Sequence, residues 1–189
     1  MTGDGSPLSD AARRVIETDR PLVYLTFGTV SNKTPTFHAA VDALRSLEAI
    51  AAIVTVGPGG DVDAFGPVPD HVVITCYISQ NDVFQDTAVV ASHAGPGTLL
   101  GALSMGIAQV CLPQAADQFR NADACAIAGA GVTLKGDALT ADAIAAAIMT
   151  ALDNPTYRDA AATIAQEIET MPTAEDVAVD LERLVAKAQ

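Results

Sequence analysis

The sequence contains no tryptophan, and aromatic residues make up only 4% of it. It is also poor in cations: 10 lysines and arginines stand against 23 aspartates and glutamates, for a formal net charge of −13. That balance excludes binding along a nucleic-acid backbone, which needs clustered Lys and Arg to neutralise phosphates. It also disfavours an anionic lipid surface. It leaves room for a single phosphate ligand, because a local turn of backbone N–H groups binds phosphate whatever the global charge. Cysteine is scarce as well. Cys76, Cys111 and Cys125 are odd in number and far apart, which excludes a disulfide framework and a zinc ribbon. Cys76 and Cys111 fall in apolar, strand-like runs and are expected to be small core residues. This usage suits a reducing cytoplasm. No apolar run reaches the length of a membrane span, and the polar stretch 1–20 lacks the apolar segment of a signal peptide. It is expected to be a leader or linker. The Gly-x-Gly-x-x-Gly dinucleotide fingerprint and the Walker pattern are both missing, which takes weight from NAD and ATP enzymes. His38 and His71 lack paired metal-ligand spacing, so both are expected at the surface or capping a helix. No metal and no cofactor are expected.

Half of the 189 residues are apolar, enough for one domain with a full core. From Pro21 onward, short apolar runs alternate with helical patterns. The runs at 22–27, 50–56, 71–77, 88–92, 109–112 and 131–134 read as buried strands. Helical spacing covers 36–47, 98–105 and 117–128, with a single turn at 82–86. Ser9-Asp10 is placed to cap a short helix before the first strand. Three further helices, over 141–152, 155–170 and 174–186, form a helical C-terminal tail. Strands apolar on both faces and separated by helices predict a doubly wound, Rossmann-like parallel α/β sheet of about six strands. In such a sheet, ligands sit beyond the carboxyl ends of the strands. Gly28-Thr29, Tyr77 to Gln80, His93 to Thr98 and Pro113 to Gln118 all follow strands, so they are expected on one rim.

Four of these segments carry candidate chemistry. Ser92-His93-Ala94-Gly95-Pro96-Gly97-Thr98 joins a strand to a helix. Its glycines allow close backbone approach, the helix start offers free N–H groups, and His93 and Thr98 add donors. The segment reads equally as a pyrophosphate cradle or as a tight turn with a helix cap. Asp117-Gln118 opens a helix; a carboxylate beside an amide can hold vicinal sugar hydroxyls, although an acidic residue at a helix start is the commoner reading. Tyr77-Ile78-Ser79-Gln80 offers an aromatic for base stacking with backbone groups beside it to read the base edge; a core Tyr is as good a reading of it alone. The run Ala102 to Gly106 has some look of a nucleophile elbow, but Ser104 falls at the end of a helix and not in a strand-turn-helix corner.

Taken in order, these segments resemble the large glycosyltransferase family that includes macrolide, enediyne and glycopeptide antibiotic glycosyltransferases and plant UDP-glycosyltransferases. The resemblance rests on Leu22 to Thr29, Tyr77 to Gln80, Ser92 to Thr98, Gly106 to Pro113, Asp117-Gln118, Asn121-Ala122 and Gly129 to Val132, and covers roughly Pro21 to Ala186. It implies a GT-B enzyme of two Rossmann-like domains, with this chain as the C-terminal, donor-binding domain (residues 21–189) and the acceptor-binding N-terminal domain absent. His93, Gly95, Gly97 and Thr98 are then expected on the pyrophosphate, with Gly28 and Thr29 approaching it. Tyr77, Ile78 and Gln80 are expected on a pyrimidine base, and Asp117 and Gln118 on the sugar. The implied ligand is a dTDP- or UDP-sugar, and the implied reaction an inverting, metal-independent transfer. No catalytic residue is expected in this chain. Five positions depart from the family pattern, among them Pro96, which sits inside the turn and removes one N–H donor from the cradle. Tyr77 stands where plant members usually have Trp, and Ser79 where Pro is common. Ala94 replaces a frequent Gly, and Gly101 lacks the acid that plant members place on the ribose, which is compatible with a deoxyribose donor. Rival readings are a donor subunit of a split glycosyltransferase, a non-catalytic nucleotide-sugar-binding domain and, more weakly, a sugar-nucleotide epimerase.

Overall fold

A computed structural model describes residues 8–28 and 34–187 of the chain. Six parallel strands form one sheet: β1 (Leu22–Thr26), β2 (Ala51–Thr55), β3 (Val72–Thr75), β4 (Thr87–Ser92), β5 (Ala108–Cys111) and β6 (Gly131–Thr133). Their order across the sheet is β3-β2-β1-β4-β5-β6. The chain therefore winds outward from β1 in one direction, then returns and winds from β4 in the other. That reversal opens a crevice at the carboxyl ends of β1 and β4. These two strands pair in parallel, with Thr26 opposite Ser92, so the residues that follow each of them emerge side by side.

The helices cover both faces. On one face, α2 (Pro35–Ser46) and α6 (Ala141–Asp153) pack over alternate strand residues such as Val23, Leu25, Val54, Ala91 and Val110. On the other, α1 (Asp10–Ile16) and α3 (Gln80–Phe84) pack over Tyr24, Ile53 and Val90. Beside them, α4 (Pro96–Leu103), α5 (Gln118–Ile127) and α7 (Pro155–Glu169) enclose Cys111 and Cys125. Every residue of β1 and β2 is buried, as expected of strands covered on both sides. Local signals set the helix starts. The side chains of Ser9, Thr34, Thr140 and Asn154 each accept a hydrogen bond from a backbone N–H in the first turn of the helix that follows.

The structure departs from the sequence reading at several points. The helix expected from Thr98 begins at Pro96, because Pro at the first helical position lacks only an N–H that the helix would leave unbonded. The helical tail is largely core: Ile144, Ala147, Ile148 and Ala151 of α6 are buried, and Ala161 of α7 packs under α4 and α5. Only α8 (Ala174–Lys187) stands apart, with Val177, Leu181, Leu184 and Val185 exposed along one stripe. Cys111 is buried as expected, but Cys76 is exposed, because β3 ends at Thr75 and Cys76 already belongs to the loop. His71 is buried rather than superficial. Its Nε2 lies 3.2 Å from the Leu44 carbonyl in the last turn of α2, so the capping role holds and the exposure does not. His38 is exposed and stacks on Phe65, with ring centroids 4.6 Å apart. Among the described residues, no helix is long and apolar enough to cross a membrane.

Candidate functional site

The crevice is built from two short turns held by the strands that precede them. Thr26 Oγ1 accepts from the Gly28 N–H at 3.3 Å, and Ser92 Oγ accepts from the Ala94 N–H at 3.1 Å. The paired last residues of β1 and β4 thus fold the chain immediately beyond the sheet. Gly28 has φ +67°, which a residue with a Cβ adopts only with strain. Thr29, placed by sequence on the pyrophosphate, lies outside the described residues.

His93 occupies the crevice. A Cβ on Gly28 would lie 3.2 Å from its Cε1, and a Cβ on Gly95 would lie 2.5 Å from its Nε2. Both glycines therefore make room for one edge of the imidazole. Gly95 has an ordinary φ of −64°, so space and not backbone conformation is what requires glycine there. His93 is half-buried, and its Nδ1 is buried with no hydrogen-bond partner among the described residues. Burial pulls its pKa below the usual 6.5; the Thr26 backbone and the Asp117 carboxylate pull the other way.

Beyond His93, α4 begins without a cap. Gly95 is the N-cap residue and offers no side chain, and Pro96 has no N–H. The N–H groups of Gly95, Gly97 and Thr98 make no hydrogen bond among the described residues. Gly97 is exposed, and a Cβ on it would meet nothing within 4 Å. An unbonded helix start with open space in front of it offers an anion free N–H donors and the positive end of the helix dipole.

The other sequence candidates surround this point. Gln80 Nε2 donates to Thr98 Oγ1 at 3.1 Å, which joins the start of α3 to the start of α4. Sequence had assigned these two residues separately, to base and pyrophosphate; the structure couples them. Ile78 is buried in the core, while its backbone N–H and C=O are unbonded among the described residues. Tyr77 is 52% exposed, so its ring is available to stack and is not a core Tyr. Asp117 is exposed and caps nothing with its side chain. Gln118 uses Oε1 to accept from the N–H groups of Gln114 (2.8 Å) and Ala115 (2.9 Å), which orders the loop between β5 and α5 and leaves its Nε2 unbonded among the described residues. Ser104 ends α4 and donates to the Gly101 carbonyl; no strand leads into it.

One contact beside these groups is not legible from the sequence pattern. Asn121, one turn into α5, bridges the Ala94 carbonyl and the Asp117 carboxylate. Sequence noted this residue only as part of a pattern. A cavity of about 790 Å³ lies at the opposite, amino-terminal end of the strands, beside Leu22, Thr87 and Ile107. It is remote from all of these groups.

Residues 40–184 match the family described as erythromycin biosynthesis protein CIII-like, C-terminal domain. The elloramycin glycosyltransferase ElmGT of Streptomyces olivaceus is 34% identical over 168 residues, which is 86% of this chain and 41% of that protein. The vancomycin aglycone glucosyltransferase of Amycolatopsis orientalis is 33% identical over 166 residues, 84% of this chain and 38% of that one. Among solved structures, the spinosyn rhamnosyltransferase SpnG complexed with thymidine diphosphate matches with a TM-score of 0.81 at 29% identity, over 87% of this chain and 46% of that one. The chain spans less than half the length of these relatives. With its reversed parallel sheet and this match over most of its length, the chain belongs to the erythromycin biosynthesis protein CIII-like family of C-terminal domains, which are parts of GT-B glycosyltransferases.

Proposed function

We propose that this chain binds the nucleotide diphosphate sugar for a glycosyltransferase that moves a sugar from a dTDP- or UDP-sugar to a small natural-product acceptor. The observation that carries the proposal is the imidazole of His93 lodged against two glycines at the uncapped start of α4. There, the Gly95, Gly97 and Thr98 N–H groups and His93 converge where a diphosphate would sit. Tyr77 supplies an open ring for the base, and the unbonded backbone groups of Ile78 match the donor and acceptor on a pyrimidine edge. Asp117 and the free amide of Gln118 face the sugar. The thymidine diphosphate in the SpnG complex and the natural-product acceptors in the relatives' names favour this ligand class.

The chemistry follows from charge. As the bond to the anomeric carbon breaks, negative charge develops on the leaving diphosphate. Fixed N–H groups and a helix start stabilise that charge without reorganising, and His93 donates to it from Nε2. The displacement inverts the anomeric carbon. The group that deprotonates the acceptor belongs to an acceptor-binding half beyond these residues, which is consistent with the share of each relative that the chain spans. The exposed apolar stripe of α8 offers that half a place to pack.

The test is calorimetric titration of the chain with dTDP and with UDP, repeated on His93→Ala. The expected result is binding that weakens about 10- to 150-fold in the variant, the range for loss of one hydrogen bond to a charged group. Absence of binding to either nucleotide by the folded wild-type chain would overturn the proposal.

A further inference from the structure

We propose that Asn121 is a positioning residue for the donor, holding the diphosphate loop and the sugar-reading carboxylate in one fixed relation. This rests on the donor-binding reading above. Asn121 Nδ2 donates to the Ala94 carbonyl at 3.0 Å and to Asp117 Oδ2 at 3.2 Å. These contacts use both of its N–H bonds. Among the described residues, Asn121 forms no hydrogen bond to either of the groups placed on the diphosphate, His93 and the α4 start; it acts through their neighbours.

The peptide that Asn121 holds is the one that matters. Ala94 lies between His93 and Gly95 at φ +62°, in the left-handed region that a residue with a Cβ avoids. It is fully buried, and its N–H is held by Ser92 Oγ. In a trans peptide the C=O and the following N–H point in opposite directions. Fixing the Ala94 carbonyl on α5 therefore turns the Gly95 N–H away from α5, and that N–H has no other partner among the described residues. Without Asn121, the Ala94-Gly95 peptide can rotate to relieve the strain at Ala94 and withdraw the Gly95 N–H from the anion site. The same loss frees the Asp117 carboxylate, which acts on His93 electrostatically. One side chain thus sets the relation between the two ends of the donor.

Asn121→Ala and Asn121→Asp separate this role from simple structural support. Each variant is titrated with dTDP, and its thermal midpoint is recorded without ligand. Asn121→Ala is expected to bind about ten-fold more weakly than the wild type, in the range for a lost hydrogen bond plus a misdirected donor. Asn121→Asp presents a carboxylate to both the Ala94 carbonyl and Asp117, so at neutral pH its loss is expected to be at least as large. Two carboxylates at this separation share a proton at mildly acidic pH, and a shared proton restores one donor. The ratio of Asn121→Asp to wild-type affinity is therefore expected to rise on acidification more steeply than the Asn121→Ala ratio, which has no second carboxylate to share the proton. A structural defect alone does not produce that difference, and Asn121→Asp provides the measurement should Asn121→Ala fail to fold. Wild-type affinity in both folded variants, or parallel pH profiles for the two, overturns the inference while leaving donor binding intact. A wild-type chain that binds no nucleotide overturns the donor reading, and this inference with it.

Discussion

Replacing Gly95 by alanine adds a single methyl group, and the structure specifies what that methyl meets. The new Cβ would sit 2.5 Å from His93 Nε2 and 2.9 Å from Cε1, whereas ordinary contact begins near 3.4 Å. The ring edge must therefore retreat by about 1 Å. Gly28 already approaches the same edge, so retreat within the crevice is limited. The backbone tolerates alanine, since φ at Gly95 is −64°. Two responses remain. If the ring stays, overpacking costs about 1–3 kcal/mol, which for a chain of this size lowers Tm by roughly 2–12 °C. If the half-buried ring swings out to solvent, stability is largely spared, and the donor at Nε2 leaves the anion site. In either case nucleotide affinity falls, by about 10- to 150-fold for one lost hydrogen bond to a charged group. The assay pairs thermal unfolding without ligand with calorimetric titration by dTDP and UDP. A folded Gly95→Ala chain that binds nucleotide as tightly as the wild type would refute the argument that this glycine exists to seat the imidazole. Gly97→Ala separates the two costs: a Cβ there meets nothing within 4 Å, so it should leave stability nearly unchanged while intruding on the space where the diphosphate would sit.

Two further predictions concern stability. Burial depresses the His93 pKa, so the folded chain binds fewer protons at this site than the unfolded chain does between the depressed value and the ordinary 6.5. Its contribution is fully present above pH 6.5 and is lost as pH falls from there through the folded value. Urea midpoints measured against pH should show a fall over that window that is shallower in His93→Ala, and identical profiles would remove the premise that burial governs the ring. Gly131 pairs with Gln109 in the sheet, and a Cβ there would lie 2.3 Å from the Gln109 carbonyl oxygen and 2.8 Å from its carbonyl carbon. Backbone cannot yield as a side chain can, so Gly131→Ala should cost about 3 kcal/mol or more in urea unfolding. A loss under about 1 kcal/mol would mean that β6 shifts freely along the sheet edge.

Much of this molecule was legible in the order of its residues. Runs such as Leu22 to Phe27 and Ile50 to Val56 are too short for buried helices and apolar on both faces, and they became strands. Ser9, Thr140 and Asn154-Pro155 announced helix starts because capping is a contact between neighbours a few residues apart. The rule that ligands gather beyond strand ends put the Gly28, Tyr77, His93 and Asp117 segments on one rim, and the resemblance supplied roles for them. What sequence order did not contain was which of these residues touch. Cys76 looked like the end of a strand until pairing stopped at Thr75. The last three helices looked like a tail until α6 and α7 proved to cover opposite faces of the sheet. Gln80 meets Thr98, His93 fills the space left by Gly95, and Asn121 holds Ala94 across 27 residues of chain. Periodicity and capping are written within a few residues because the forces behind them act along the backbone. The pairing of β1 with β4, and the docking of α5 against the turn that follows β4, are decided by burial of the whole sheet, and only that tertiary arrangement turns separate segments into one site.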